Sequence, residues 1–134
     1  MGRRTGWPST TSASTGPTPG AGAVARANLD GSGVNAAFVG GAAGPLAVAV
    51  SDRHVYWVNR FAPTTIGRAN LDGSGANQVF MTVGGTPSGI AVDDRYLYWT
   101  DDFRQTIGRA RLDGTAVNSD FITGAAVPFD VAVD

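Results

Sequence analysis

The segment Thr65–Gly73 reads TIGRANLDG, and the segment Thr106–Gly114 repeats it as TIGRARLDG. A shorter copy, RANLDG, begins at Arg26, so the Arg residues of the three copies follow one another at spacings of 42 and 41 residues. The Tyr-Trp pairs Tyr56–Trp57 and Tyr98–Trp99 are also 42 residues apart. Self-similarity at a fixed period of roughly 20 to 50 residues is the signature of a repeat architecture.

Each period contains four short runs with strand character. The first is apolar and bounded by Gly or Pro, which is typical of a strand buried on both faces. The second is rich in aromatic and β-branched residues, and an Asp-Gly pair between the third and fourth predicts a tight hairpin turn. No stretch has helical periodicity. The predicted strands are Leu46–Val50, Val55–Val58, Thr65–Asn70, Gln78–Thr82, Gly89–Val92, Leu97–Thr100, Thr106–Arg111, Asn118–Thr123 and Phe129–Val133.

A four-stranded unit of about 40 residues predicts a propeller blade. The succession of Pro87–Asp93, Leu97–Asp101 and Leu112–Gly114 resembles the YWTD repeat of low-density lipoprotein receptor propellers and their bacterial relatives. The resemblance covers roughly residues 24 to 134. It implies an all-β fold, an incomplete six-bladed β-propeller with four-stranded antiparallel blades. In the preceding blade the motif departs to Tyr-Trp-Val-Asn, which puts in doubt any shared role of its last two positions.

The repeats divide the chain into two parts. Residues 24–134 hold half a blade, two full blades and the first strand of the next, whereas six blades of this period need about 250 residues. We therefore expect a fragment of a larger propeller. Residues 1–23 are rich in Ser, Thr, Gly and Pro and are interpreted as an aberrant or disordered segment. A frameshifted reading of blade strands is one explanation, because the shifted frame across Ser14, Thr15 and Gly16 can encode a Tyr-Trp pair whose Trp falls across Thr15 and Gly16.

Composition limits the function classes. The 134 residues carry a formal net charge of −1 and no Cys, which excludes thiolate chemistry and disulfides. No basic stripe indicates nucleic-acid binding, and no apolar run approaches the roughly 20 residues of a membrane span. We expect no cofactor, no catalytic residue and no metal site. The pairs Asp93–Asp94 and Asp101–Asp102 lack the regular ligand spacing of a calcium loop.

Several repeated residues have structural interpretations. The adjacent Tyr and Trp of each pair should point to opposite faces of their sheet, because side chains alternate along a strand. Gly67 and Gly108 should be small because an aromatic ring presses against them. The repeated residues Arg26, Arg68 and Arg109 are predicted to form structural ion pairs, for example with carboxylates of the Asp93 type, and a ligand site is the alternative.

One end of the blades offers a candidate binding surface. In an antiparallel blade the loops between the second and third strands, and the connections to the next blade, emerge at the same end. Both loops there pair a Phe with an Arg, residue types that dominate binding hot spots. Ordinary loop filling is the equally simple alternative. The candidate binding residues are Asn59, Arg60, Phe61, Asp101, Asp102, Phe103 and Arg104.

The sequence favours a binding or scaffold module over a catalyst. We expect a non-catalytic propeller that recognises a protein or a glycan and is secreted or held in the cell envelope, as the resemblance implies. Part of a propeller enzyme, lactonase-like or lyase-like, is the first alternative, although the apolar runs Leu46–Val50 and Ile90–Val92 supply no ligands for a metal at the central axis. An inactive partial gene product is the second.

Overall fold

The computed structural model describes residues 13–18, 22–28, 35–42, 44–61 and 64–124. This part of the chain forms strands and turns without a helix. The strands are β1 Ala13–Thr18, β2 Ala23–Asn28, β3 Asn35–Val39, β4 Pro45–Val50, β5 His54–Asn59, β6 Thr65–Asn70, β7 Asn77–Thr82, β8 Pro87–Val92, β9 Tyr96–Asp101, β10 Thr106–Arg111 and β11 Asn118–Thr123.

The strands form three antiparallel sheets in which neighbours in sequence are neighbours in space. The first sheet has the order β1-β2-β3, the second β4-β5-β6-β7 and the third β8-β9-β10-β11. Sharp turns between the third and fourth strands are made possible by Gly73 and Gly114, whose φ angles are 87° and 86°. These positions belong to the repeated Asp-Gly pairs, and the predicted hairpin turns are confirmed.

The predicted strands correspond closely to the observed ones. Thr65–Asn70, Thr106–Arg111 and Asn118–Thr123 have the predicted bounds, and the other predicted strands within the described ranges are observed to be longer by one or two residues. Phe129–Val133 lies outside the described residues. The N-terminal segment contributes β1, in which Thr15 lies opposite Arg26 as Tyr56 lies opposite Arg68. Its frameshift origin stays a prediction.

The core lies between the sheets. Along β5, Tyr56 and Val58 face the third sheet, while Val55 and Trp57 face the first. This alternation confirms that the Tyr and Trp of the pair point to opposite faces. One cluster joins the second sheet to residues such as Leu97 and Trp99 of the third, and the other joins it to Val24 and Val39 of the first.

Adjacent sheets approach each other through their inner strands. β4 lies beside β8 and near β1, and β5 contacts β8. In the described residues the second sheet therefore stacks on the third mainly through the inner strands β4, β5 and β8. The chain is an all-β, incomplete β-propeller.

Candidate functional site

The two Phe-Arg loops lie at the same end of neighbouring sheets. In the second sheet the backbone N–H of Arg60 donates to the carbonyl of Gly44, at 3.2 Å. In the third sheet the N–H of Asp102 donates to the carbonyl of Thr86, also at 3.2 Å. Each loop is thus tied to the connection that enters its own sheet, and the predicted grouping of loops and connections at one end is confirmed.

Both Phe residues of these loops are exposed. The exposed fraction is 64% for Phe61 and 80% for Phe103. The ring of Phe61 lies against Gly44, where a Cβ would come within 2.9 Å of the ring atoms. Gly44 also has a positive φ of 64°. The ring of Phe61 therefore packs against the backbone at Gly44. Phe103 projects from the turn that Gln105, with φ 57°, helps to form.

Asn59 is buried below the first loop and acts within the sheet. Its Nδ2 donates to Thr65 Oγ1, to the carbonyl of Gln78 and to Gln78 Oε1, each at 3.1 Å. Thr65 Oγ1 in turn donates to the carbonyl of Gln78 at 2.7 Å. The prediction of Asn59 as a contact residue is corrected: it anchors the base of the loop from inside.

Asp101 occupies the equivalent position in the third sheet and is also buried. Its Oδ1 accepts hydrogen bonds from the N–H groups of Thr86, at 3.1 Å, and Arg104, at 3.0 Å. Gly85 allows the carboxylate to approach, because a Cβ there would overlap it. Asp101 therefore holds the base of the second loop from inside the sheet. Its predicted role as a contact residue is corrected because, like Asn59, it is buried.

The remaining candidate residues lie nearer the surface. Arg60 and Arg104 are exposed, and Arg104 forms an ion pair with Asp120 at 3.8 Å. Asp102 is half-buried, and its Oδ1, which is buried from solvent, has no hydrogen-bond partner among the described residues. Of the predicted binding residues, Arg60, Phe61, Phe103 and Arg104 are therefore exposed, and Asp102 is half-buried. We call these five residues the loop face.

The repeated Arg residues stack on aromatic rings. The guanidinium of Arg68 lies 4.2 Å from the ring centroid of Phe80, and that of Arg109 lies 4.1 Å from Tyr96 and 4.0 Å from Phe121. Among the described residues the ion pair is Arg104–Asp120, so the prediction of Arg68 and Arg109 ion pairs is corrected. The aromatic rings lie close enough to hold the cations by cation–π attraction.

Asp93 sits at the opposite end of the third sheet, in the turn between β8 and β9. Partial burial works to raise the pKa of its carboxyl group. The N–H groups of Arg95 and Tyr96 and the hydroxyl of Tyr98 donate hydrogen bonds to it, and the charge of Arg109 adds to their effect. The hydrogen bonds and the positive charge of Arg109 together outweigh the effect of burial, so the pKa of the Asp93 carboxyl group is lowered.

The residues that link neighbouring sheets were not identified from the sequence. Gln78 accepts a hydrogen bond from Trp57 Nε1 at 2.9 Å and donates through Nε2 to the carbonyl of Gly40 at 2.8 Å, joining the second sheet to the connection that leaves the first. The carbonyl of Leu112 accepts from Tyr56 and Arg68, at 3.3 Å each. The repeated Leu-Asp-Gly turn was a sequence signal for the contact of Tyr56 and Arg68 with Leu112. Gln78 has no repeated signal, since Ser119 stands at the same position of the next blade.

The described ranges hold no group of three or more His, Cys, Asp or Glu side chains placed to bind a metal ion. They also contain no helix of the length and apolarity needed to cross a membrane.

The fold is that of a β-propeller, with antiparallel sheets stacked as blades. The present chain is similar to a chain in the crystal structure of a nidogen/laminin complex, with 25% sequence identity and a TM-score of 0.63. The match covers 85% of this chain and 46% of that chain, so the present chain spans about half the length of the chain it matches. No family model matches the sequence, and no curated protein matches it.

Proposed function

We propose that this chain is part of a six-bladed, non-catalytic propeller that binds a protein partner through the loop face. The observation that carries the proposal is the exposure of Phe61 and Phe103 beside Arg60 and Arg104, at the same end of adjacent sheets. Large aromatic side chains and Arg are enriched among residues that dominate binding energy. Leaving two Phe rings in water has no benefit to folding, which favours a role in recognition.

Buried side chains fix the bases of the two loops, which suits these loops to recognition. Asn59 and Asp101 fix the bases of the two loops by hydrogen bonds from within the sheets. A loop fixed before binding loses less conformational entropy when the partner arrives.

The comparison supports a protein as the ligand class. The similar chain comes from a complex of nidogen with laminin, so a propeller of this kind takes part there in an assembly between proteins. By analogy we propose a secreted or envelope location for the present chain. Fractionation of the native source checks this: recovery from the medium or envelope supports the proposal, and recovery from the cytoplasm alone contradicts it. The bacterial type and glycan binding stay predictions.

Binding to defined proteins tests the function. The 134-residue chain is immobilised and offered a panel of purified extracellular proteins beginning with laminin, together with a glycan array. We expect at least one protein to bind, and the double variant Phe61→Ala/Phe103→Ala to bind it about 100-fold more weakly. The matched control is Val79→Ala/Val117→Ala, which removes apolar side chains that are 61% and 49% exposed but lie outside the loop face.

Two results would overturn the proposal. One is the absence of any protein ligand across the panel. The other is a ligand whose affinity falls equally in the loop-face variant and in the control variant. Binding confined to the glycan array would replace a protein partner with a glycan.

A further inference from the structure

The Asp-Gly pairs of the repeated turns are open to a chemical modification. Gly has no side chain to shield the peptide nitrogen, so this nitrogen can attack the carboxyl carbon of the preceding Asp side chain. The attack forms a succinimide ring and releases one water molecule. When water then opens the ring at the main-chain carbonyl, the chain continues through the Asp side chain as isoaspartate. The pairs are Asp30–Gly31, Asp72–Gly73 and Asp113–Gly114.

A residue with a hydroxyl group follows each pair, as Ser32, Ser74 and Thr115. In the described turns this residue binds the Asp carboxylate twice. Asp72 Oδ1 accepts hydrogen bonds from the N–H of Ser74 at 2.9 Å and from its Oγ at 2.6 Å. Asp113 Oδ1 accepts from the N–H of Thr115 at 3.0 Å and from its Oγ1 at 2.6 Å. A bond to the backbone two residues on is common for Asp in turns, and the hydroxyl adds a second donor.

These hydrogen bonds oppose ring closure at the carboxyl group. The group must turn toward the Gly nitrogen, and it must be protonated so that one of its oxygens can leave as water. The bonds hold the carboxylate toward the residue two positions on. They also lower the pKa of Asp72 and Asp113, and the side-chain hydroxyl is the main cause in both turns. The carboxyl group is therefore both held in place and kept ionised.

The nitrogen that would attack is engaged as well. The N–H of Gly73 donates to the carbonyl of Asn70, and the N–H of Gly114 donates to the carbonyl of Arg111, each at 2.9 Å. The nitrogen loses this proton when the ring forms, so the hydrogen bond must break first. The backbone of the turn thus adds to the hold that the hydroxyl exerts on the carboxylate.

We propose that Ser74 and Thr115 protect the turns at Asp72 and Asp113 from conversion to isoaspartate. Burial gives no protection, because both Asp residues are exposed to water. The hydrogen bonds of the turn are what keep the two reacting groups apart. A hydroxyl residue at the same position in all three copies of the turn supports a shared role.

The turn that begins at Leu112 also joins two sheets. The carbonyl of Leu112 accepts hydrogen bonds from Tyr56 and Arg68 of the second sheet. Gly114 lies against the ring of Phe80, where a Cβ would come within 3.1 Å of Cζ. Isoaspartate would add one methylene group to the main chain between these two contacts. Protection of the turn therefore preserves a contact between blades.

Isoaspartate formation in single-site variants of the full 134-residue chain tests the proposal. The folded protein is incubated at mildly acidic pH, and isoaspartate at each site is quantified by peptide mapping and mass spectrometry. Thr115→Val removes the hydroxyl but keeps the branched shape, and should raise the rate at Asp113 about three- to tenfold while the rate at Asp72 stays unchanged. Ser74→Ala should do the reverse. Thr115→Ser keeps the hydroxyl and is the matched control, with the native rate at both sites.

Each variant carries an internal control in the other turn. Equal rates at Asp113 in the native protein and in Thr115→Val would overturn the proposal. A rate in Thr115→Ser as high as in Thr115→Val would overturn it too, because the shape of the side chain and not its hydroxyl would then matter. So would equal acceleration at Asp72 and Asp113, which would trace the effect to the stability of the whole chain. Far-ultraviolet circular dichroism checks that the sheets of each variant are intact.

Discussion

Gly67 lies directly opposite Trp57 in the second sheet, and a Cβ on Gly67 would overlap the indole ring. The same relationship holds between Gly108 and Trp99 in the third sheet. The small residue lets the indole lie flat on the neighbouring strand. The Trp then fills the space between blades without pushing β6 or β10 away.

Gly67→Ala should destabilise the protein. Ala in the interior of a strand ordinarily stabilises by about 0.5 to 1 kcal/mol over Gly, because Gly loses more backbone freedom on folding. Here the added methyl group must displace the indole, and overpacking of this kind costs about 1 to 3 kcal/mol. Urea unfolding measured by Trp fluorescence checks the expected loss.

Gly40→Ala is the control for that experiment. A Cβ on Gly40 would meet no atom within 4 Å, so this change should be neutral or slightly stabilising. If Gly67→Ala stabilises the protein as much as Gly40→Ala does, the indole does not lie where the structure places it.

Gln78→Ala should loosen the link between the first and second sheets. The variant leaves Trp57 Nε1 and the carbonyl of Gly40 without their partner, at a cost of about 1 to 3 kcal/mol. Ser119→Ala changes the same repeat position of the third sheet and should cost less than about 0.5 kcal/mol. Chemical denaturation measures both, and equal losses would show that Gln78 is not a link.

Asn59→Asp should be more damaging than Asp101→Asn. An Asp at position 59 would turn a carboxylate toward the carbonyl and Oε1 of Gln78, and a buried charge without a donor costs about 3 kcal/mol or more. Asn at position 101 keeps an oxygen for the N–H groups of Thr86 and Arg104, so about 1 kcal/mol should be lost. Thermal unfolding compares them, and the reverse order would contradict the observed hydrogen bonds.

Asp93→Asn should reduce stability at neutral pH but not in acid. The pKa of Asp93 is lowered in the folded state, so its carboxylate contributes stability above the unfolded value of about 3.9, and this is lost as the pH falls through the folded value. The contribution is at most about 1 kcal/mol because solvent screens the site. Unfolding of both proteins at pH 7 and pH 2.5 should show a difference at pH 7 that shrinks at pH 2.5. A difference that grows in acid would contradict the assignment.

Much of the fold can be predicted from the sequence because the repeat samples each structural position more than once. The recurrence of Gly67 as Gly108, opposite Trp57 and Trp99, predicts the close contact of ring and backbone before any coordinates. The Asp-Gly pairs predict the turns, since they demand a positive φ. A structural feature that occurs in more than one blade can be recognised from the sequence, because its residues recur at the same spacing.

The contacts that the sequence does not predict depend on strand register or on residues that are not repeated from blade to blade. Arg68 meets Phe80 because β6 and β7 shift register between Ile66 and Arg68, and no residue pattern marks that shift. The burial of Asn59 and Asp101 was missed because strands β5 and β9 extend by one residue beyond the predicted ends, into the loops. The role of Gln78 could not be predicted from the repeat, because Ser119 stands at the equivalent position of the next blade.

The propeller architecture depends on the stacking of one sheet on the next. Nuclear Overhauser effects between the methyl groups of Ile66 or Met81, on the second sheet, and those of Ile90 or Leu97, on the third, test it most directly. All four belong to one buried cluster, so strong cross-peaks between the two sheets are expected. Cross-peaks confined within each sheet would show that the sheets do not stack as blades, and would contradict the propeller.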